Sequence, residues 1–476
     1  MKKIKVLLLT LFVGFAFISC YEDLDDNNIA SIDINDFVWK GMNAVYLYKS
    51  EIPDLANDRF NGDEDYRDYL NSFSTPESLF ESLLYLPETV DKFSRITDNY
   101  FDLQSQQQGT SLSNGIEFNL YLVPGSQTEV FGAITLVLNN SLADNLGLER
   151  GQIFRAVNST NLNTGNFVDL LNQDAYTLNF ADYNDNGTPE TNDDTLAPNG
   201  MSAELERVAY TENPVHIAQT IDVGNNVKVG YLMYNGFNSN FNDALNSAFA
   251  QFQAEGANEL VLDLRYNGGG SVQTAAYLGS MITGQFTGQV YSKLFYNENL
   301  QSSNRDFLFT NSIEGGGAIN SLNLSKVYVL TTNRRTASAS ELVINSLQPY
   351  IDVVVIGENT VGKTQASITI YDSPNLSFEN VNPNHTYAMQ PLVANSSNVN
   401  DQLVPADGID PTIEITESPN TFNMLGNVNE PLLAAAIADI NNADRSFPNM
   451  KFSDLPRLIK SKKLIPAFEQ EMYLEQ

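Results

Sequence analysis

The sequence predicts a multidomain α+β protein: a small helical N-terminal domain, a β-rich middle domain and a layered α/β core. Three observations predict it. From about residue 32 to 108, apolar residues recur at helical spacing; from about 111 to 205 they alternate as in strands. Beyond Arg207, apolar strand-type runs and one-sided helical runs succeed each other, which is the mark of α/β layering. A chain of 476 residues is long enough to fold as two or three domains with a sizeable core.

Each element has a local cause. Phe37, Val38, Met42, Val45 and Tyr46 define the apolar face of a first helix. Thr75-Pro76 reads as a capped helix start, with Phe80, Leu83 and Leu84 on its apolar face. Gln106-Gln107-Gln108-Gly109 reads as a linker, and strands follow at 117–123 and 130–138. In the core, strands are expected at 227–234, 260–265, 327–330 and 353–356. A helix bearing Phe241, Leu245, Ala248, Phe249 and Phe252 closes at Gly256, another spans 271–282, an edge segment runs from Pro405 to Ile415, and 430–440 is a closing helix. The expected divisions are 1–20, 21–110, 111–205, 206–425 and 426–476.

The first twenty residues read as an export signal. Lys2, Lys3 and Lys5 precede an apolar run from Val6 to Ile18, too short for an ordinary membrane span, and Ser19-Cys20 ends it. Phe17-Ile18-Ser19-Cys20 resembles a bacterial lipoprotein cleavage box, which implies lipid attachment at Cys20 and an outer-membrane lipoprotein of the cell envelope. Cys20 is the only cysteine, so no disulfide forms within the chain. The acidic stretch Tyr21–Asp26 resembles the signals that send some lipoproteins to the cell surface; a solvated tether is the plainer reading. A net charge of −32, from Lys+Arg 26 against Asp+Glu 58, excludes nucleic acid or an anionic membrane as a partner held by bulk electrostatics.

Much chemistry is missing. There is no Walker-type phosphate loop, no zinc-type ligand spacing, and no cysteine nucleophile beyond Cys20. The two histidines, His216 in a strand-like run and His385 in an Asn/Pro-rich loop, lack the setting of a histidine–carboxylate triad. The stretch 182–193 has oxygen side chains at calcium-loop spacing with Gly187 sixth, but no helical pattern flanks it and Asp193 stands where a bidentate Glu is expected. A loop between two strands is the preferred reading.

What remains lies at strand ends. Gly268-Gly269-Gly270 follows a buried strand and precedes a helix, where backbone N–H groups suit an oxyanion; a tight turn explains it equally. Thr336-Ala337-Ser338-Ala339-Ser340-Glu341 places serines at a helix start, as caps or as a nucleophile. Lys363, after the strand at 353–356, could serve as base only if it became neutral, several units below its usual pKa of about 10.4.

Two family resemblances join these pieces. Ser141, Ala143, Asp144, Gly147, Leu148, Gly151, Ile153, Val157 and Asn158 fall in step with the core stretch of a PDZ domain. Such a domain adds an extended peptide to a sheet edge, and Gly115, Ile116 and Phe118 would form the loop that receives a peptide carboxylate. "DLRYNGGG" at 263–270, "TASASE" at 336–341, "GENTVGKTQ" at 357–365 and "GIDP" at 408–411 together resemble the C-terminal processing peptidases, or tail-specific proteases. That resemblance implies a crotonase-like layered core, no cofactor and no metal, and protein or peptide substrates. By position it implies Ser338 as nucleophile, Lys363 as base 25 residues later, and the N–H groups of Ala339 and Gly270 as oxyanion donors, with Glu341 supporting the helix start.

The sequence also departs from the family. Thr364 replaces the glycine after the lysine, Ser367 replaces a glutamine, Gln365 sits two places early, and Pro349 stands where some members carry an aspartate. Whether Gln365 or Ser367 orients Lys363 stays open, as does a regulatory partner. The reading is therefore an exported, lipid-anchored serine endopeptidase. Its alternatives are a non-catalytic peptide-binding or scaffold lipoprotein and a lipoprotein of a surface nutrient-uptake system.

Overall fold

The computed structural model describes residues 31–188, 190–441 and 472–474. Cys20, the segment around it and the basic residues Arg457, Lys460, Lys462 and Lys463 lie outside the described residues.

The N-terminal part begins with the helix Ser31–Val45, followed by Asp63–Asn71 and Pro76–Ser82. Thr75 caps the last of these: its hydroxyl accepts from the Ser78 N–H, and Pro76 opens the first turn. Phe37, Val38, Met42, Leu79 and Phe80 share one buried cluster with Leu262 and Val327 of the core sheet. The helical face that periodicity picks out therefore packs on the rest of the protein. Two local features differ from expectation. Gln106-Gln107 ends the helix Tyr100–Gln107 instead of forming a linker, with the Gln107 amide donating to Thr369 Oγ1 at 3.0 Å. Arg95–Thr97 is a strand, paired antiparallel with Ala388–Gln390. Neither partner is near in sequence, so local periodicity carries no trace of the pairing.

The β-rich part is an antiparallel sheet in the order Ile116–Leu122, Val130–Val137, Ile153–Val157, Ala175–Asn184 and Thr195–Glu206, with Thr160–Asn161 beside the third strand. Ile116–Leu122 lies at its edge. Ile116, Ile134, Phe154, Val157 and Leu178 fill its core. The stretch 182–193 begins in the last residues of the fourth strand and continues into its connection to the fifth, the two strands pairing from Ala175↔Glu206 to Asn184↔Thr195. It is thus a hairpin connection, as its lack of flanking helical pattern suggests, and Asn186 and Gly187 supply the positive φ values of its turn.

The α/β core is a six-stranded sheet in chain order: Val215–Asp222, Lys228–Tyr234, Glu259–Asp263, Lys326–Thr331, Asp352–Gly357 and Ile413–Glu414. The first pair is antiparallel and the others parallel. Alternation of side chains along buried strands sends one set to each face. Leu232, Leu260, Leu262, Val327 and Val329 meet the helices Asn242–Glu255, Val272–Thr283 and Ala339–Leu347. Val229, Tyr231, Val261, Tyr328 and Leu330 meet the helix Pro431–Ile440. A second six-stranded sheet runs Gly270–Ser271, Met472–Tyr473, Gln365–Ser367, Leu392–Ser397, Val290–Tyr296 and Arg305–Leu308. Parallel strands deliver their C-terminal ends to one edge of the core, and the motif loops emerge there.

Candidate active site

Three loops converge at the C-terminal ends of the core strands. The loop after Glu259–Asp263 carries Arg265 to Gly270, the loop after Lys326–Thr331 carries Thr336 to Ser338, and the loop after Asp352–Gly357 carries Thr360 to Lys363. Backbone bonds sew them together. The Ala337 N–H donates to the Asn267 carbonyl at 3.3 Å and the Val361 N–H to the Thr336 carbonyl at 3.0 Å, while the Thr336 hydroxyl donates to the Leu264 carbonyl at 3.0 Å.

Ser338 immediately precedes the helix Ala339–Leu347 and has φ 66° and ψ −117°, a conformation that side-chain-bearing residues seldom adopt. It is completely buried, and its Oγ has no hydrogen-bond partner among the described residues. Ser340 differs: its hydroxyl donates to the Asn267 carbonyl at 3.1 Å. Ala339 is the first helical residue, where N–H groups lack intrahelical acceptors.

Glu341 ties the second loop to the third. Its Oε2 accepts from the Ser338 N–H at 2.7 Å and the Lys363 N–H at 2.9 Å; its Oε1 accepts from the Gly362 N–H at 2.6 Å and from the Thr360 hydroxyl. The backbone nitrogens of Ser338 and Lys363 thus lie no further apart than two hydrogen bonds laid end to end. Burial pushes the Glu341 carboxyl above its ordinary value, against the downward pull of these four donors. Gly362 has φ 90°, and a Cβ there would meet the Ala406 carbonyl oxygen at 2.3 Å.

Lys363 is buried, and its Nζ sits 5.0 Å from the centre of the Phe93 ring, which the N-terminal part supplies. The other expected supports point elsewhere. The Gln365 amide donates to the Tyr48 hydroxyl at 3.1 Å, and the Ser367 hydroxyl donates to the Met472 carbonyl at 3.1 Å. Gly270 has φ 131° and lies against Phe237: an added Cβ would be 2.3 Å from the Phe237 carbonyl oxygen. The Ser271 N–H donates to that carbonyl at 2.7 Å, which fixes the turn from which the helix Val272–Thr283 starts.

Neither histidine belongs to this cluster. His216 lies on the strand Val215–Asp222, and burial holds its pKa down at about 4. His385 pairs with Asp372 at 3.0 Å, and that hydrogen bond holds the Asp372 carboxyl below its ordinary value.

The β-rich part reaches the same loops. Arg334 NH1 donates to the Phe118 carbonyl and to Asn119 Oδ1, and Arg335 pairs with Glu117. Arg150 donates to the Tyr266 hydroxyl and pairs with Glu417 at 2.5 Å, which Arg265 also holds at 2.9 Å. Sequence patterns missed Arg150, Arg334, Arg335 and Phe93, because each acts across a domain boundary. Gly115 directly precedes the edge strand that Ile116 and Phe118 begin beside Arg334, and the Gly115 N–H is held by Ser113 Oγ at 3.0 Å.

Comparisons with known proteins point to one family. The description of peptidase family S41 matches residues 228–415, and that of the S41 N-terminal domain matches residues 33–95. A crystal structure of a Bacteroides fragilis protein assigned to the S41 proteases is 30% identical. The match covers 86% of this chain and 97% of that one, with a TM-score of 0.68. The chain belongs to peptidase family S41. It is the family of C-terminal processing peptidases that the four motifs resemble. A carboxyl-terminal-processing protease of Picosynechococcus is 31% identical over 162 residues, 34% of this chain and 35% of that protein. The chloroplastic C-terminal processing peptidase of Tetradesmus obliquus is 30% identical over 173 residues, 35% and 34% of the two chains. These curated relatives are therefore matched over about a third of their length. In this S41 chain, the family match of 228–415 spans all three motif loops.

Proposed function

We propose that this S41 chain is a serine endopeptidase working through Ser338 and Lys363. The observation that carries the reading is the state of Ser338: a buried hydroxyl without a partner among the described residues, in a strained backbone, beside a lysine loop anchored to the same carboxylate. Neutral Lys363 would take the hydroxyl proton as Oγ attacks a peptide carbonyl. The N–H groups of Ala339 and Gly270 would hold the oxyanion, the leaving amine would depart with a proton, and water would hydrolyse the acyl-enzyme. Glu341 acts by positioning, because its oxygens are taken up by backbone N–H groups and Thr360. No cofactor or metal enters this scheme.

The β-rich part would be the PDZ-like module. Its edge strand Ile116–Leu122 offers an extended peptide a place to add, with residues 115–118 at the end where a carboxylate would sit. Cys20 and the signal-like segment before it imply an exported, lipid-anchored protein of the bacterial cell envelope. Among the described residues no helix is long and apolar enough to cross a membrane.

The test is cleavage of an unfolded protein together with labelling by a serine-reactive phosphonate. Ser338→Ala and Lys363→Ala should each abolish cleavage, with the label mapping to Ser338 in the unaltered chain. Because a lysine accepts a proton only when neutral, cleavage should rise from mildly acid to mildly basic pH. Unchanged cleavage in either variant would sink the dyad. A second reading, a peptide-binding or scaffold protein on the same fold, is favoured by the engagement of Gln365 and Ser367 with Tyr48 and Met472. It predicts peptide binding with no label at Ser338.

A further inference from the structure

Residues 472–474 lie between two of the loops that build the site. Met472–Tyr473 is a strand parallel to both neighbours, with Met472 opposite Gly270, and Tyr473 opposite Ser271 on one side and Ser367 on the other. The Leu474 N–H donates to the Ser367 carbonyl at 3.2 Å, and the Ser367 hydroxyl donates to the Met472 carbonyl at 3.1 Å. The Tyr473 hydroxyl reaches the Phe237 carbonyl at 3.5 Å, the same carbonyl that holds Ser271. Met472 is fully buried and Leu474 nearly so, both within the core cluster.

The neighbours of this strand are informative. One begins at Gly270, the proposed oxyanion donor, and the other begins two residues after Lys363. An extended peptide placed for attack by Ser338 must run along the backbone of Gly270, and strand addition is the economical way to hold it. That edge already has an occupant. The occupant's strand is two residues long, so few backbone bonds hold it, and strands so short are weak by themselves.

We infer that residues 472–474 are an internal competitor of substrate, an autoinhibitory strand filling the peptide slot between Gly270–Ser271 and Gln365–Ser367. This rests on the peptidase reading. Displacement by an incoming peptide strand exchanges like for like: backbone bonds to Ser367 and apolar side chains into the pockets of Met472 and Leu474.

The test uses the whole chain carrying Leu474→Pro, which loses the N–H donated to Ser367, and Tyr473→Ala as a milder change that spares backbone pairing. Cleavage of an unfolded protein should rise several-fold in Leu474→Pro and less in Tyr473→Ala. A fluorescent peptide copying residues 470–476 should bind Leu474→Pro in a Ser338→Ala background, not bind Ser338→Ala alone, and be displaced by unfolded protein. Cleavage at the unaltered rate, or slower cleavage with a lowered Tm, would overturn the inference and make the strand purely structural. Peptide that fails to bind would overturn it as well. Should neither chain cleave, the peptidase reading fails, and the binding arm alone decides whether the slot exists.

Discussion

Ser338 holds two unfavourable features at one residue. A side-chain-bearing residue at positive φ costs on the order of 1–3 kcal/mol, and a buried hydroxyl without a partner costs about as much again. The sewn loops and the Glu341 carboxylate hold it there against that cost. Relief should therefore be measurable. Ser338→Gly, which tolerates the backbone and removes the hydroxyl, should raise stability to urea by about 1–2 kcal/mol while cleavage is lost. A variant less stable than the parent would mean that the hydroxyl has a stabilising role in the resting protein.

At the scale of elements, the glycine turn 268–270 sets where the second sheet begins and how near the helix Val272–Thr283 comes to Phe237. Gly270 has neither the φ nor the space for a side chain, so Gly270→Ala should cost about 2 kcal/mol or more and reduce cleavage further than the stability loss explains. Chemical denaturation and cleavage measured at a temperature where the variant is folded separate the two effects. The helix Ala339–Leu347 is buried at every residue, because it packs on the core sheet while its start faces the site. Its firmness is what allows one strained residue at its N-terminus.

At the scale of the molecule, the β-rich part meets the core through buried charge, while the N-terminal helices meet it through apolar packing. Arg265 is completely enclosed by Asp263, Glu417 and Glu430, and Arg150 brings the β-rich part to the same cluster. Against the upward push of burial, Arg150 and Arg265 hold Glu417 down at about 2, so Glu417 stays charged at neutral pH. Glu212, just beyond the strand Val208–Thr211 that joins the β-rich part to the core, behaves oppositely. Burial pushes its carboxyl up to about 7; Glu117 adds to the rise, and Asn235 and Arg335 oppose it. Between about 4.5 and about 7 the folded chain thus holds a proton that the unfolded chain has released, so this contribution to stability falls as pH rises through that window. Tm measured against pH should fall less steeply there in Glu212→Gln. An identical slope in both proteins would show that Glu212 ionises without cost.

The sequence by itself determined the order of helical, β-rich and α/β parts, because periodicity and cap residues such as Thr75, Pro76 and Gly256 act locally. It also named the motif loops, because strand-end glycines and small residues at a helix start have local backbone reasons. Through the family motif it singled out Ser338, and in three dimensions Ser340 is set apart by the Asn267 carbonyl that engages it. The tertiary structure decided the rest, for one physical reason: each remaining feature joins residues distant in the chain. Gln106-Gln107 is helical, Arg95–Thr97 is a strand, Phe93 covers Lys363, and Glu341 binds two loops at once. Gln365 and Ser367, candidates to orient the lysine by spacing, are engaged by Tyr48 and Met472, from opposite ends of the chain. Spacing along a chain can nominate a residue for a site; only packing decides which neighbour its side chain meets.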